Sequence, residues 1–243
     1  MGKALARAFK NSGFEVTVYN RSGEKAIALA EEIRVSSTED LGKLLESELV
    51  ILPVSDDSIA EVFELIRDHV DQQIIVHTSG TRSIDLLDGA SNHGLFYPLD
   101  SFGYHGDWKM KDTPIFIEGS DDEILSKVKD VAYELSGQVY QLDSAKRPWL
   151  HLAAVIMNNF TNVLIAEAYH LLEDHDIPMN ALDKLLRTTM LKATTTSPEE
   201  SQTGPARRGD LSTIRKHMDM LDDAELAELY KLLSHRINKK LDI

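Results

Sequence analysis

The stretch Gly2-Lys3-Ala4-Leu5-Ala6-Arg7-Ala8-Phe9-Lys10, followed by Gly13-Phe14-Glu15-Val16-Thr17-Val18-Tyr19-Asn20-Arg21-Ser22, decides the fold class. A glycine runs directly into a helical pattern, and a second glycine turn leads into a β-rich run with a polar end. This order is the back half of a βαβ unit in which a G-x-G-x-x-G loop precedes the helix. The first glycine of such a loop makes the tight turn, the second lets the backbone approach a ligand, and the third lets helix and strand pack closely. Gly2 stands in the third position. The central strand and the other two glycines are therefore expected before Met1, with a natural start roughly ten or more residues upstream.

Working outward, the first half alternates strand and helix signals. Glu15–Asn20 reads as a strand and Glu24–Ile33 as an alanine-rich amphipathic helix. Thr38-Glu39-Asp40 is expected to start a further helix, with Ser37 or Thr38 as its N-cap. Leu49–Val54 and Gln73–Thr78 are continuous apolar runs suited to parallel strands buried on both faces. Between them, Ser55-Asp56-Asp57 leads into a helix with Ile59, Val62, Phe63 and Ile66 on one face. Gly94–Tyr97, Thr113–Ile117 and Gln138–Leu142 complete the strand set. Repeated βα units predict a Rossmann-type, doubly wound, mostly parallel sheet lacking its first strand.

After Asp143 the pattern becomes helical. Trp149 to about Asp174 is one long helix, Asn180–Leu191 a second, and Leu211–Leu221 and Asp223–Lys239 two more. A polar segment, Thr194–Asp210, lies between. The expected division is residues 1–143 as the sheet domain and 144–243 as an all-helical domain.

The 243 residues carry 40 acidic and 26 basic side chains, a net charge of −14. That excludes a general nucleic-acid surface, which needs clustered Lys and Arg to displace counterions. A small anion remains compatible, because a few local donors overcome a distant negative field. The chain has no cysteine, so disulfides and thiolate metal sites are excluded. No H-E-x-x-H spacing supports a helical zinc site, so no metal is expected. The longest apolar stretches are interrupted by Asn, His or Glu, and no membrane span or leader is expected, which makes the cytoplasm the default.

In open α/β sheets, ligands bind beyond the carboxyl ends of the strands. Asn20, Arg21 and Ser22 follow the second strand of the motif, where Arg and Ser suit a 2′-phosphate better than an acidic residue would. A solvated turn with a capping Ser22 is the alternative. Pro53, Val54 and Ser55, and Thr78 and Ser79, end two buried strands and could face a ribose and nicotinamide. They could equally be ordinary connections; capping suits Asp56, and ligand proximity suits Ser79. Pro98, in Tyr97–Phe102, is expected at the mouth of a cleft between the domains. His151, Asn158 and Asn159 lie on an otherwise apolar helix, and seven residues place His151 and Asn158 on one face. Buried asparagines need satisfied amides, and bonding to a neighbouring helix competes with a ligand role. Gln202, Thr203, Arg207 and Arg208 form a donor-rich cluster suited to a carboxylate or phosphate, or to a surface loop held by Arg–Asp pairs.

Together these segments resemble proteins whose C-terminal half is the domain of unknown function 2520, within the 6-phosphogluconate-dehydrogenase-like superfamily. The matching residues are His77–Gly80, Phe96–Phe102, His151–Val155 running into Asn158-Asn159-Phe160, and Gln202-Thr203-Gly204-Pro205-Ala206-Arg207-Arg208-Gly209-Asp210 followed by Thr213-Ile214 and His217. The resemblance implies an NADP-type Rossmann domain, with Gly2, Asn20, Arg21, Ser22, Pro53, Val54, Ser55, Thr78, Ser79 and Pro98 toward NADP(H), and a helical domain that forms a homodimer. Related β-hydroxyacid dehydrogenases place a catalytic lysine four residues before an asparagine on the long helix. If Asn159 matches that asparagine, Val155 stands at the lysine position.

The expectation is an NADP(H)-dependent oxidoreductase acting on a small carbonyl or imine that bears a carboxylate. His151 is the expected acid, with Lys146 as a substitute. Asn159 orients the substrate, with Asn158, Gln202, Thr203, Arg207 and Arg208 as further substrate contacts. The competing expectation, supported by the missing glycine loop and Val155, is a non-catalytic nucleotide-sensing or scaffolding dimer.

Overall fold

The computed structural model describes residues 1–102 and 110–243. It divides into two compact units, Met1–Thr161 and Asn162–Ile243.

In the first unit, α1 (Gly2–Asn11) is followed by β1 (Thr17–Tyr19), α2 (Gly23–Ile33) and β2 (Ser36–Thr38). Then come β3 (Leu49–Leu52), α3 (Ile59–Ile66), β4 (Ile74–His77), β5 (His93–Pro98), β6 (Ile115–Gly119), α4 (Asp122–Leu135) and β7 (Val139–Gln141). β1 and β2 pair in parallel as a separate two-stranded sheet. The other five strands form one sheet in the order β3-β4-β5-β6-β7, parallel throughout except between β5 and β6. β1 and β3 are therefore both edge strands, and the β1–β2 sheet stands apart from the β3–β7 sheet.

One correction concerns residues 37–40. Ser37 and Thr38 belong to β2, and the turn that follows is a 3₁₀ helix, Leu41–Glu46. The cap is Asp40, whose Oδ1 accepts the Gly42 N–H at 2.9 Å, while Thr38 Oγ1 accepts the Asp40 N–H at 3.0 Å. The short hydroxyl side chain closes a local turn and leaves the helix to begin later.

The core on one face joins Leu5, Ala8 and Phe9 of α1, Val76 and Phe96 of the sheet, and Ile124, Val128 and Ala132 of α4. The opposite face packs Val50, Leu52 and Ile75 against Ile59, Phe63 and Ile66 of α3. Helices on both faces explain why β4 is apolar without alternation. Gly2 is the first residue of α1, and a Cβ there would lie 3.1 Å from Pro53 Cγ, so α1 starts in close contact with the chain leaving β3.

Helical turns run unbroken from α5 (Arg147–Ala154) through a π-helical segment, Val155–Phe160, into α6 (Thr161–Glu173). By length and composition this stretch, Arg147–Glu173, is long and apolar enough to cross a membrane. The expectation that Asn, His and Glu would disqualify it is thereby corrected: scattered polar residues barely lower the mean of so apolar a segment. The second unit continues with α7 (Asp183–Thr195), α8 (Pro198–Ser201), α9 (Pro205–Arg208), α10 (Leu211–Asp219) and α11 (Ala224–Ile237). Its small core is Ala206, Ile214 and Leu241.

Phe96 is fully buried and its ring centroid lies 5.7 Å from that of Phe9. Phe96→Ala is expected to lower stability by about 3–5 kcal/mol through lost burial and the cavity left behind, read as a shift in the urea unfolding midpoint.

Candidate functional site

Three parallel strands end at one edge of the sheet: β3 at Leu52, β4 at His77, paired with Leu52, and β5 at Pro98. Just beyond these ends lies a pocket of about 260 Å³. Pro53, Val54 and Asp56 line it after β3, Thr78, Ser79 and Gly80 after β4, and Tyr97, Pro98 and Asp100 at the end of β5. Met1 and His151 complete the lining.

The loop after β4 is held from below by His77. Its ring is fully buried; Nδ1 accepts the Ser79 N–H at 3.1 Å and Nε2 lies 3.2 Å from the Ser83 carbonyl. The two bonds together require a neutral ring carrying its proton on Nε2. Burial, with the nearby Arg147 charge, pushes the His77 pKa down to about 4. Ser79 Oγ accepts the N–H groups of Thr81 at 3.1 Å and Arg82 at 2.9 Å. Asp56 accepts the Thr81 hydroxyl at 2.5 Å. The capping role expected of Asp56 is not seen: its carboxylate is drawn across to Thr81 of the neighbouring loop, while Ser79 lines the pocket as expected and also caps the turn after β4.

His151 sits on α5 with Nδ1 2.9 Å from the Tyr97 hydroxyl. Tyr97 is buried, and that burial, reinforced by the Asp56 charge, pushes its phenol up to about 12. Gly80 is the floor of the pair: a Cβ there would lie 2.5 Å from His151 Nδ1 and 2.9 Å from Tyr97 Cζ. α5 is anchored by Arg147, whose side chain is completely buried. Its Nη1 donates to Glu118 Oε2 at 2.6 Å and its Nη2 to the Arg82 carbonyl, while Nε has no partner among the described residues. Glu118 also accepts Ser144 N–H at 2.8 Å and Ser144 O–H at 2.7 Å. Neither Tyr97 nor Arg147 was assigned a role from the sequence. A charged residue directly before Pro148 at a helix start is the only sequence signal of such an anchor.

The other expected residues lie elsewhere. Asn20 Oδ1 accepts the Ser22 N–H at 3.0 Å, and Arg21 is ion-paired with Glu61 at 3.0 Å on the surface. Ser22 is at the N-cap of α2 but makes no side-chain cap bond. Ser55 is 2.7 Å from the Ser58 hydroxyl and does not line the pocket. Lys146 pairs with Asp143 at 3.1 Å. Asn158 and Asn159 are exposed rather than buried, and the shared face expected for His151 and Asn158 does not survive the intervening π turn, whose wider pitch rotates later residues out of α-helical register.

In the second unit, Gln202 Nε2 donates to the Thr203 carbonyl at 3.0 Å. Arg207 and Arg208 are exposed, and among the described residues no ion pair joins them to Asp210. Asp210 instead caps α10, accepting Thr213 N–H at 3.1 Å and Thr213 O–H at 2.7 Å, which holds its carboxyl below the usual range. The loop keeps its shape through this cap and through left-handed Gly209, with φ of 73°.

Residues 113–237 match the model of DUF2520, a domain of unknown function, and residues 1–80 match that of the coenzyme F420-dependent NADP oxidoreductases. The chain belongs to the DUF2520 family, with an N-terminal part of the NADP oxidoreductase type. A protein from Bacteroides fragilis, provisionally named an NADP oxidoreductase, is 35% identical, with a TM-score of 0.89 over 98% of this chain and 94% of its own. A Thermotoga maritima protein is 28% identical, with a TM-score of 0.74 over 94% of each chain. An imine reductase from Myxococcus stipitatus, solved with NADP+, shares the fold at 14% identity, with a TM-score of 0.68 over 99% of this chain and 92% of its own. No curated protein matches the chain.

Because the folded His77 ring binds its proton only near pH 4 and an unfolded one near 6.5, the unfolded state gains the proton first as pH falls. The His77 contribution is full above about pH 6.5 and is lost progressively toward pH 4, by up to about 3 kcal/mol. His77→Gln is expected to flatten the stability profile across that window, measured by urea unfolding at a series of pH values.

Proposed function

We propose that this chain is an NADP(H)-dependent oxidoreductase that reduces a small carbonyl or imine bearing a carboxylate. One observation carries the reading: a pocket beyond three parallel strand ends has a histidine on its wall, hydrogen-bonded to a buried tyrosine. Dinucleotides bind at that edge of doubly wound sheets. The lining fits the reactive end of such a cofactor, with Pro53, Val54 and Pro98 as apolar contacts and Thr78 and Ser79 as a small polar wall. A Cβ on Gly2 would lie 3.1 Å from Pro53 Cγ, and such crowding at a helix start suits a glycine in the third position of the motif.

NADP(H), when bound, supplies the hydride. Asn20, Arg21 and Ser22 are assigned to its 2′-phosphate, and Ser55 to its ribose side. Arg21 must then exchange Glu61 for the phosphate; an exposed pair of this kind is worth at most about 1 kcal/mol, so the exchange costs little. His151 gives the proton that Val155 cannot. Asn158 and Asn159 orient the substrate, and Arg207 and Arg208, with Gln202 and Thr203, take its carboxylate; these last assignments rest on chemistry, since among the described residues the carboxylates lining the pocket are Asp56 and Asp100 and no Lys or Arg lines it. Imine reduction is the activity named for one protein of the same fold.

The protein is further proposed to be a cytoplasmic homodimer. Trp149 and Leu152 of α5 and Ile156 and Phe160 of the π-helical segment are exposed, as is Met157 at 79%. Large apolar side chains exposed together on one helical segment suit an interface, and a second copy would cover them.

NADPH is expected to bind at least about tenfold more tightly than NADH, and Arg21→Ala to abolish the difference, by fluorescence titration. Equal affinity for both cofactors would remove the 2′-phosphate assignment. His151→Ala is expected to cut NADPH-dependent reduction of cyclic imino acids or 2-oxo acids by about 100-fold or more without changing NADPH affinity. Undiminished turnover would remove His151 as the acid. Sedimentation velocity is expected to give twice the chain mass, and the chain mass alone for Phe160→Asp.

A further inference from the structure

We propose that Tyr97 is a positioning residue that holds the proton of the His151 ring on Nε2 and refills the ring after proton transfer. The proposal rests on the reading of His151 as the acid.

The two ring nitrogens of His151 stand in different surroundings. Nδ1 is 2.9 Å from the Tyr97 hydroxyl and faces the Gly80 backbone so closely that no Cβ fits between. Among the described residues Nε2 has no hydrogen-bond partner, while the residue lines the pocket. A proton exchanged with a bound substrate must therefore pass through Nε2.

The direction of the Tyr97 bond follows from satisfiability. A buried hydroxyl hydrogen left without an acceptor is destabilising. The Tyr97 hydroxyl makes no other hydrogen bond among the described residues, so Nδ1 is the acceptor they offer its proton. Nδ1 must then be the acceptor, which leaves the ring proton on Nε2. The high pKa of the phenol keeps that donor protonated at neutral pH.

The transfer then balances. Hydride from NADPH adds to the substrate carbon and the carbonyl or imine π bond breaks toward its heteroatom. The Nε2–H bond breaks, and its proton goes to the oxygen or nitrogen. Nδ1 takes the Tyr97 proton, leaving a phenolate and an Nδ1–H ring. The cofactor is oxidised to NADP+ and the substrate reduced to an alcohol or amine. Return of the Nδ1 proton to Tyr97, with uptake of one solvent proton at Nε2, restores the pair. A phenol near 12 is acidic enough to neutralise an alkoxide. It is too weak an acid to rest ionised, so it serves only as a reserve behind the ring.

The test is the side-chain ¹⁵N spectrum of His151 in the full-length protein at neutral pH, for the parent chain and for Tyr97→Phe, with His77 as an internal reference whose two bonds are unaltered. The parent is expected to show a protonated Nε2 and an Nδ1 signal displaced by an accepted hydrogen bond. In Tyr97→Phe that displacement disappears while the His77 signals stay in place, which shows that the fold is intact. An Nδ1 signal unchanged by Tyr97→Phe, or a parent ring protonated on Nδ1, would overturn the proposal. Turnover separates this from the acid assignment. If His151 is the acid and Tyr97 serves it, Tyr97→Phe lowers kcat by about 10- to 100-fold with KM little changed. If His151→Ala is fully active, the acid assignment fails whatever the spectra show. Full activity of Tyr97→Phe beside an inactive His151→Ala rejects the relay alone.

Discussion

The ion pair between Arg147 and Glu118 is the constraint on which the site depends. Arg147 is fully buried and Glu118 largely so, and the pair is sealed by Ser144 and by the Arg82 carbonyl. Buried pairs gain little net stability over an apolar substitute, because desolvation offsets most of the attraction. What this pair supplies is position. The guanidinium reaches the loop after β4, β6 and the start of α5 at once, and His151 follows one helical turn later. Loss of either partner would leave a buried charge uncompensated and free the helix start from the sheet. The site then loses the relation between Gly80, Tyr97 and His151 before it loses its fold.

The fold was legible because its determinants are local and repetitive. Leu49–Leu52 and Ile74–His77 read as doubly buried parallel strands from apolar runs alone, and both lie within the expected ranges. The misreading at residues 37–40 arose where hydroxyl and carboxylate side chains compete for backbone donors, a contest that spacing does not record. The π turn was equally hidden. Nothing in Val155–Phe160 breaks a helical pattern, yet one widened turn changes which later residues share a face with His151.

The site was legible in outline and not in its connections. Strand ends announce themselves, so Pro53, Val54, Thr78, Ser79 and Pro98 could be placed near one another before any coordinates. Tyr97 could not be paired with His151, because 54 residues separate them and the pairing is made by a helix docked through a third residue. The partner of Asp56 was hidden for a related reason. Its side chain can cap a turn, and whether it does depends on a neighbouring loop that supplies Thr81.

The division of the strands into two sheets bears on how the first unit holds together. The β1–β2 sheet rests on three paired residues per strand, and α1 reaches the main core mainly through Leu5, Ala8 and Phe9. Two-stranded sheets have little independent stability, whereas β4 and β5 are held from both sides. Amide protons of Thr17–Tyr19 and Ser36–Thr38 should therefore exchange through local openings well below the global unfolding free energy. The unit is thus graded from a rigid wall carrying His77, Tyr97 and Gly80 to a compliant flank carrying Asn20 and Arg21. Any ligand that engages the flank would be felt there first, as slowed exchange rather than as displaced atoms.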